Sequence, residues 1–231
     1  VKGVVAMGFA AVVFDLDGVL VESEHLWEEN WAAYAAERGV GWTAEDTSTV
    51  QGMSAPEWAA YLAKRSGTSE SVEEVERAVV DGMIASIEKG EAPLLAGADA
   101  MVRDVSAKAP VGLASSAARR VIDAVLATHG LTEQFSVTVS SAEVPRGKPS
   151  PDVYAEAASR LGFRGEQCLG VEDSSNGIRA AAAAGLTVIA LPNPTYPPKP
   201  DALELAAEVA ESNDDVRRKL LAYLTGELVR S

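Results

Sequence analysis

Apolar positions along the chain follow two different periods. Ala11-Val12-Val13-Phe14 is a short unbroken apolar run, as a strand buried on both faces requires, and Gly18 just beyond it marks a turn. From Leu26 the spacing becomes helical: Leu26, Trp27, Asn30, Trp31 and Tyr34 share one face through about Arg38, and Gly39 closes it. A second helix is predicted from Ser54-Ala55-Pro56-Glu57, where Ser and Glu have capping-box spacing and Pro sits in the first turn. Trp58, Tyr61 and Leu62 form its apolar face, and Gly67 ends it. A third opens at Ser71-Val72-Glu73-Glu74 and places Val72, Val75, Val79, Met83 and Ile87 at intervals of three and four. All four tryptophans fall between residues 27 and 58. Residues 22–92 therefore read as a small helical bundle inserted after the first strand.

From Pro93 onward helix and strand alternate. A helix over 98–108 precedes a strand at Val111-Gly112-Leu113-Ala114 that ends in Ser115-Ser116, and a helix over 118–128 is closed by Gly130. A strand near Val137–Ser140, a Gly-Lys-Pro loop and a helix from Pro151 capped by Ser150 follow. The strand Cys168–Val171 runs into Glu172-Asp173, then a helix over 178–184 and a strand over 187–191. Pro192 to Pro200 reads as a surface loop with no evident ligand mode. Ala202–Ala210 has helical composition, although 207–210 suits a short edge strand equally well, and 214–228 is a closing helix. Such alternation predicts an α/β fold: a Rossmann-like parallel sheet core flanked by helices, residues 1–21 and 93–231, with the helical domain of 22–92 inserted. Ligands of such sheets bind beyond the carboxyl ends of the strands.

Composition narrows the function classes. With 231 residues and a net charge of −14, the chain has no basic footprint for nucleic acid or an anionic membrane. No apolar run reaches the length of a membrane span. The single cysteine, Cys168, excludes an intrachain disulfide, makes a reducing compartment the default, and reads as a small apolar strand residue. Lys2 and the apolar run from Gly3 to Phe14 imitate a signal peptide, but cleavage would fall around the strand that carries Asp15 and Asp17. A cytoplasmic enzyme is expected, with residues before Met7 as a frayed extension.

The candidate chemistry lies at the strand ends. Asp15 and Asp17, two apart in extended chain, project together past the tip of the first strand. Like charges held that close imply a neutralising cation or a carboxyl kept protonated for use as an acid. Ser115, Lys148, Glu172 and Asp173 fall at the same sheet edge. Carboxylates from separate strand ends suit a hard divalent cation such as Mg²⁺, and Lys148 with a hydroxyl suits phosphoryl oxygens. A phosphate-binding P-loop is excluded, since Arg146-Gly147-Lys148-Pro149 lacks the upstream Gly and the hydroxyl. His129-Gly130 reads as a helix C-terminus. Arg119 and Arg120 read as a solvated helix face.

Four stretches carry a family resemblance: Phe14-Asp15-Leu16-Asp17-Gly18-Val19-Leu20, Leu113-Ala114-Ser115-Ser116, Gly147-Lys148-Pro149-Ser150-Pro151-Asp152, and Gly170-Val171-Glu172-Asp173-Ser174-Ser175-Asn176-Gly177-Ile178. In this order they resemble the four motifs of the haloacid dehalogenase superfamily, and the helical insert resembles the cap of its sugar-phosphate phosphatases and β-phosphoglucomutases. The resemblance implies Asp15 as the nucleophile that forms an aspartyl-phosphate, and Asp17 as the acid for the leaving oxygen and then the base for water. It implies Ser115, Ser116 and Lys148 as phosphate-binding residues. Mg²⁺ would be held by Asp15, the Asp17 backbone carbonyl and Asp173, with Glu172 direct or through water. An acid at Asp17 argues against the dehalogenating and phosphonate-cleaving relatives.

In β-phosphoglucomutases a histidine lies twelve residues beyond the nucleophile and an Arg follows in the cap loop; here Trp27 and, in Gly52-Met53-Ser54-Ala55, an alanine stand there. Loss of that Arg weighs against moving a phosphate between positions. The implied function is a Mg²⁺-dependent phosphomonoesterase for a small metabolite, foremost a sugar phosphate, with a sugar phosphomutase as the alternative. Trp27, Gly52, Met53 and Ser54 are the expected specificity residues of the cap, with Trp27 and Trp31 alternatively bundle core. Glu22, at the hinge, is structural or approaches the site. The expected partner is a phosphorylated small molecule, with no nucleic acid or membrane, and the chain a monomer or weak homodimer.

Overall fold

In the computed structural model, which describes residues 8–50 and 53–227, six parallel strands form one sheet. They are β1 (Ala11–Phe14), β2 (Val111–Ser115), β3 (Val137–Ser140), β4 (Cys168–Glu172), β5 (Thr187–Ala190) and β6 (Glu208–Val209), in the order β3-β2-β1-β4-β5-β6. The chain leaves β1 toward one edge, then returns to build the other edge from β4. The strand order therefore reverses beside β1, where open α/β sheets bind ligands. Register fixes the neighbours at that point: Phe14 pairs with Leu113 on one side and Val171 on the other. The residues just beyond, Asp15 and Glu172, emerge side by side.

Alternation along β1 builds both faces of the core. Val12 and Phe14 join one apolar cluster, while Ala11 and Val13 join the other. Helices α5 (Ala98–Ser106), α6 (Arg119–Thr128) and α10 (Asn213–Thr225) contribute to the first; α7 (Asp152–Arg160) and α8 (Ser175–Ala183) cover the second. Cys168 is buried in the second cluster and burial pushes its thiol up to about 11, which fits the reading as a small apolar residue.

Four helices form the insert: α1 (Glu24–Glu37), α2 (Ala44–Val50), α3 (Ala55–Ser66) and α4 (Val72–Glu88). Its two connections to the sheet lie side by side, since Val21 and Leu94 bridge antiparallel and the Glu22 N–H donates to the Pro93 carbonyl at 3.0 Å. Glu22 itself is exposed. The insert is bound to the sheet by shared apolar packing, because Leu16 and Leu20 belong to the same cluster as Leu26, Trp27 and Met83.

The structure departs from the sequence reading in several places. Helix α2 was not anticipated; its signal is Thr43, whose Oγ1 accepts from the Asp46 N–H while Asp46 accepts from Thr43, a reciprocal cap with Asp as the third residue. Arg120 is exposed, as on a solvated helix face, whereas Arg119 is half-buried. Arg119 pairs with Glu143 and the Thr138 carbonyl, and Arg120 reaches Asp81 of α4 at 2.7 Å, linking core to insert. Ser150 donates to Asp152 Oδ1 and does not cap α7. The region 200–210 resolves into a short helix α9 (Pro200–Leu203) and the edge strand β6. Leu228, Gly52 and the residues before Met7 lie outside the described residues. No helix is long and apolar enough to cross a membrane.

Candidate active site

Asp15, a buried residue, sits at the tip of β1, where its N–H donates to the Val171 carbonyl at 3.0 Å. The next turn needs a left-handed residue: Gly18 has φ +74°, and a Cβ there would stand 2.0 Å from Asp173 Oδ2. Asp17 lies between them at the surface of the site. Its Oδ1 accepts from Ser23 Oγ and from Trp27 Nε1, the latter at 3.2 Å.

Lys148 enters from the loop after β3. Its ammonium donates to Asp15 Oδ1 at 2.8 Å and Glu172 Oε1 at 2.6 Å. Glu172, fully buried, also accepts from the Tyr154 hydroxyl at 2.8 Å through Oε1, and from Ser174 Oγ and the Asp173 and Ser174 N–H groups through Oε2. This packing is tight enough to require glycine in the following helix, since a Cβ on Gly177 would stand 1.8 Å from Glu172 Oε1. Asp173 accepts from Asn193 Nδ2, which also donates to Glu24 of α1.

Ligand atoms of Asp15, Glu172 and Asp173 all lie within 4.8 Å of one another. Three buried carboxylates thus face a single ammonium. Burial, then Glu172, pushes Asp15 up to about 8, against the pull of Lys148, and Asp17 adds to the rise. Burial, then Glu172 and Asp15, likewise hold Asp173 well above the usual carboxylate range. Burial pushes the Lys148 ammonium down, but Asp15 and Glu172 outweigh it and hold the group up.

A cavity of about 430 Å³ opens over this cluster. Asp15, Asp17, Lys148, Asp173 and Ser116 form its floor, and Trp27, Val50, Met53 and Trp58 of the helical block face them. Ser115 is fully buried and its hydroxyl accepts the Ala117 N–H at 3.0 Å; the wall at the end of β2 is made by Ser116 and Ala117. Trp27 is 8% exposed and stacked on Trp31 at 5.7 Å, and it also lines the cavity. Ser54 is buried at the start of α3, with its hydroxyl and N–H both on Glu57, and is not part of the lining.

Sequence reasoning missed Ser23, Tyr154 and Asn193. Asn193 belongs to the proline-rich loop that showed no ligand mode, and Tyr196 and Lys199 of that loop line the cavity. An Asn-Pro pair just past a strand end was the available signal.

The family profile of haloacid dehalogenase-like hydrolases matches residues 9–185. The chain belongs to this hydrolase family. It is similar to the bifunctional riboflavin kinase/FMN phosphatase of Arabidopsis thaliana, 33% identical over 210 residues that cover 90% of this chain and 54% of that protein, and so spans about half the length of that relative. It is 32% identical over 194 residues to hexitol phosphatase B of Escherichia coli (strain K12), covering 80% of this chain and 84% of that one. Among solved structures, CbbY from Rhodobacter sphaeroides in complex with phosphate superposes with a TM-score of 0.81 at 25% identity, over 90% of this chain and 96% of that one. The strand order and helical insert described above are thus those of a haloacid dehalogenase-like hydrolase.

Proposed function

We propose that this hydrolase is a Mg²⁺-dependent phosphomonoesterase that acts on a small phosphorylated metabolite, of the sugar-phosphate class, through an aspartyl-phosphate on Asp15. The observation that carries the reading is the pairing of two carboxylates in opposite environments. Asp15 is buried against Lys148, whereas Asp17 is partly exposed at the mouth of the same cavity. Asp15 attacks phosphorus in line; Lys148 and Ser116 bind phosphoryl oxygens together with the N–H groups that follow β2, while Ser115, fully buried, shapes that turn by accepting the Ala117 N–H. Asp17 protonates the departing ester oxygen and then takes the proton of the water that cleaves the aspartyl-phosphate. Residues 22–92 act as the cap that closes over the substrate and excludes bulk water.

The donor set fits a divalent cation. Burial and mutual repulsion hold Asp15 and Asp173 above their ordinary range although Lys148 is bonded to Asp15 and Glu172, so a nucleophile that must be ionised calls for further positive charge at the cluster. Asp15, Asp173 and the Asp17 carbonyl would hold Mg²⁺, with Glu172, whose oxygens already accept from Lys148, Tyr154 and Ser174, acting through water. When bound, the ion supplies charge that keeps these carboxylates ionised and offsets charge on the transferring group.

Phosphate release should be measured across sugar phosphates, polyol phosphates and nucleotides, with Mg²⁺ and with EDTA. Magnesium-dependent release, abolished in a folded Asp15→Asn variant, is expected; release retained by that variant would sink Asp15 as nucleophile. Conversion of glucose 1-phosphate to its 6-phosphate under added bisphosphate, without release, would instead establish the mutase. Ala55, fully buried, offers no cation for a second phosphate.

A further inference from the structure

Ser23 occupies the N-cap position of α1, where a serine hydroxyl ordinarily accepts a helix N–H and satisfies one of the open donors. Here it makes no capping bond. Its hydroxyl is turned the other way and donates to Asp17 Oδ1. One helical turn later, Trp27 donates to the same oxygen through Nε1 at 3.2 Å. Residues four apart share a helix face, so both donors project from the first turn of α1 toward one acceptor. Among the described residues, the hydrogen bonds to the Asp17 carboxylate all end on Oδ1. The indole is fixed in turn by its stack on Trp31 and a tilted contact with Trp58 of α3, ring centroids 5.9 Å apart.

We propose that Ser23 and Trp27 are positioning residues that hold the acid–base carboxyl by one oxygen and leave Oδ2 to the leaving group. An indole N–H only donates, so Oδ1 cannot carry the catalytic proton toward Trp27. The proton therefore resides on Oδ2. In the first step an Asp15 carboxylate oxygen bonds to phosphorus as the phosphorus–ester oxygen bond breaks, the electron pair of that bond stays on the ester oxygen, and that oxygen takes the Oδ2 proton. In the second step the water oxygen bonds to phosphorus as the Asp15 oxygen–phosphorus bond breaks, its electron pair returns to the Asp15 carboxylate, the water's proton goes to Oδ2, and inorganic phosphate leaves. Both donors belong to the insert, so the acid is set in place only while α1 is docked on the core. The inference rests on the phosphatase reading and adds residues outside the four motifs.

The test separates protonation of the leaving group from general damage. An alkyl monoester needs the acid, whereas 4-nitrophenyl phosphate expels a stable phenolate without it. The kcat/KM of Ser23→Ala and Trp27→Phe should be measured on both esters with saturating Mg²⁺, alongside denaturation midpoints. General acid catalysis contributes about 10²–10⁴-fold, so partial loss of alignment is expected to lower kcat/KM about tenfold on the alkyl ester and no more than about threefold on the aryl ester in each variant. Equal losses on both esters, or none, overturn the inference; they would mark the pair as structural. Should Trp27→Phe unfold, Ser23→Ala alone decides, because its hydroxyl caps nothing. A wild-type protein inert on both esters overturns the phosphatase reading first, and this inference falls with it.

Discussion

Tyr154→Phe removes one oxygen from the buried relay that leads to the nucleophile and changes little else. The tyrosine ring lies in the apolar cluster under α7, fully buried, and the phenylalanine ring occupies the same space. What disappears is the 2.8 Å bond to Glu172 Oε1. A hydrogen bond to a charged group contributes about 1.5–3 kcal/mol. Glu172 keeps Lys148 on the same oxygen and three donors on the other, so its charge is not stranded, and the lower half of that range applies. A loss of about 1.5–2 kcal/mol in a chain of this size corresponds to a fall in Tm of roughly 3–8 °C. Urea denaturation followed by circular dichroism, in EDTA, measures it. Activity should fall only a few-fold, because Lys148 still bridges Glu172 and Asp15. An unchanged or raised denaturation midpoint would refute the reasoning, since it would mean that Glu172 does not rely on this donor as an ionised carboxylate.

Two further outcomes follow from the same geometry. Gly177→Ala places a methyl 1.8 Å from the Glu172 carboxyl carbon; because that side chain is held by both oxygens, a destabilisation of about 1–3 kcal/mol and a loss of most phosphate release are expected, and a fully active, fully stable variant would show that Glu172 yields freely. Asp46 of α2 is held well below the usual carboxylate range, first by the Tyr61 hydroxyl at 2.7 Å, against the opposing effect of its burial, and then by Thr43 and Arg65. A depressed folded pKa stabilises above the unfolded value of about 3.9 and that contribution is lost as pH falls through the folded value. The denaturation midpoint of wild type should therefore exceed that of Asp46→Asn at neutral pH, with the gap starting to close as the pH drops below about 4, and a gap independent of pH would refute the assignment.

What the sequence made legible were features written locally. The tip of β1, the Lys148 loop and the Glu172-Asp173 pair each sit beside a strand or turn whose apolar pattern announces it, and the parallel topology then brings those tips to one edge. Helix α2 escaped because seven residues with little apolar content carry almost no periodic signal. The supporting residues escaped for another reason. Tyr154 reads as one more apolar residue on the inner face of α7, and its hydroxyl meets Glu172 across 18 positions of chain. Asn193 meets Glu24 across 169. Only the folded topology makes such partners neighbours, and neither residue type announces them.

The division of work proposed for Asp15 and Asp17 follows from where the chain turns. Both are aspartates two residues apart, yet one remains in the strand register, where Val171 and Lys148 enclose it, and the other lies past the point at which the backbone leaves the sheet. Environment sets the roles of paired carboxylates. As the proposed nucleophile, Asp15, desolvated and facing two other carboxylates, would depend on cationic charge, which ties it to the core. Asp17 faces the cavity and is held from the insert by Ser23 and Trp27. The proposed nucleophile and acid would thereby belong to different structural layers, Asp15 held by the sheet and Asp17 by α1. On that proposal, protonation of the leaving group is expected to depend on a docked α1, whereas the Lys148 contact to Asp15 comes from the core alone.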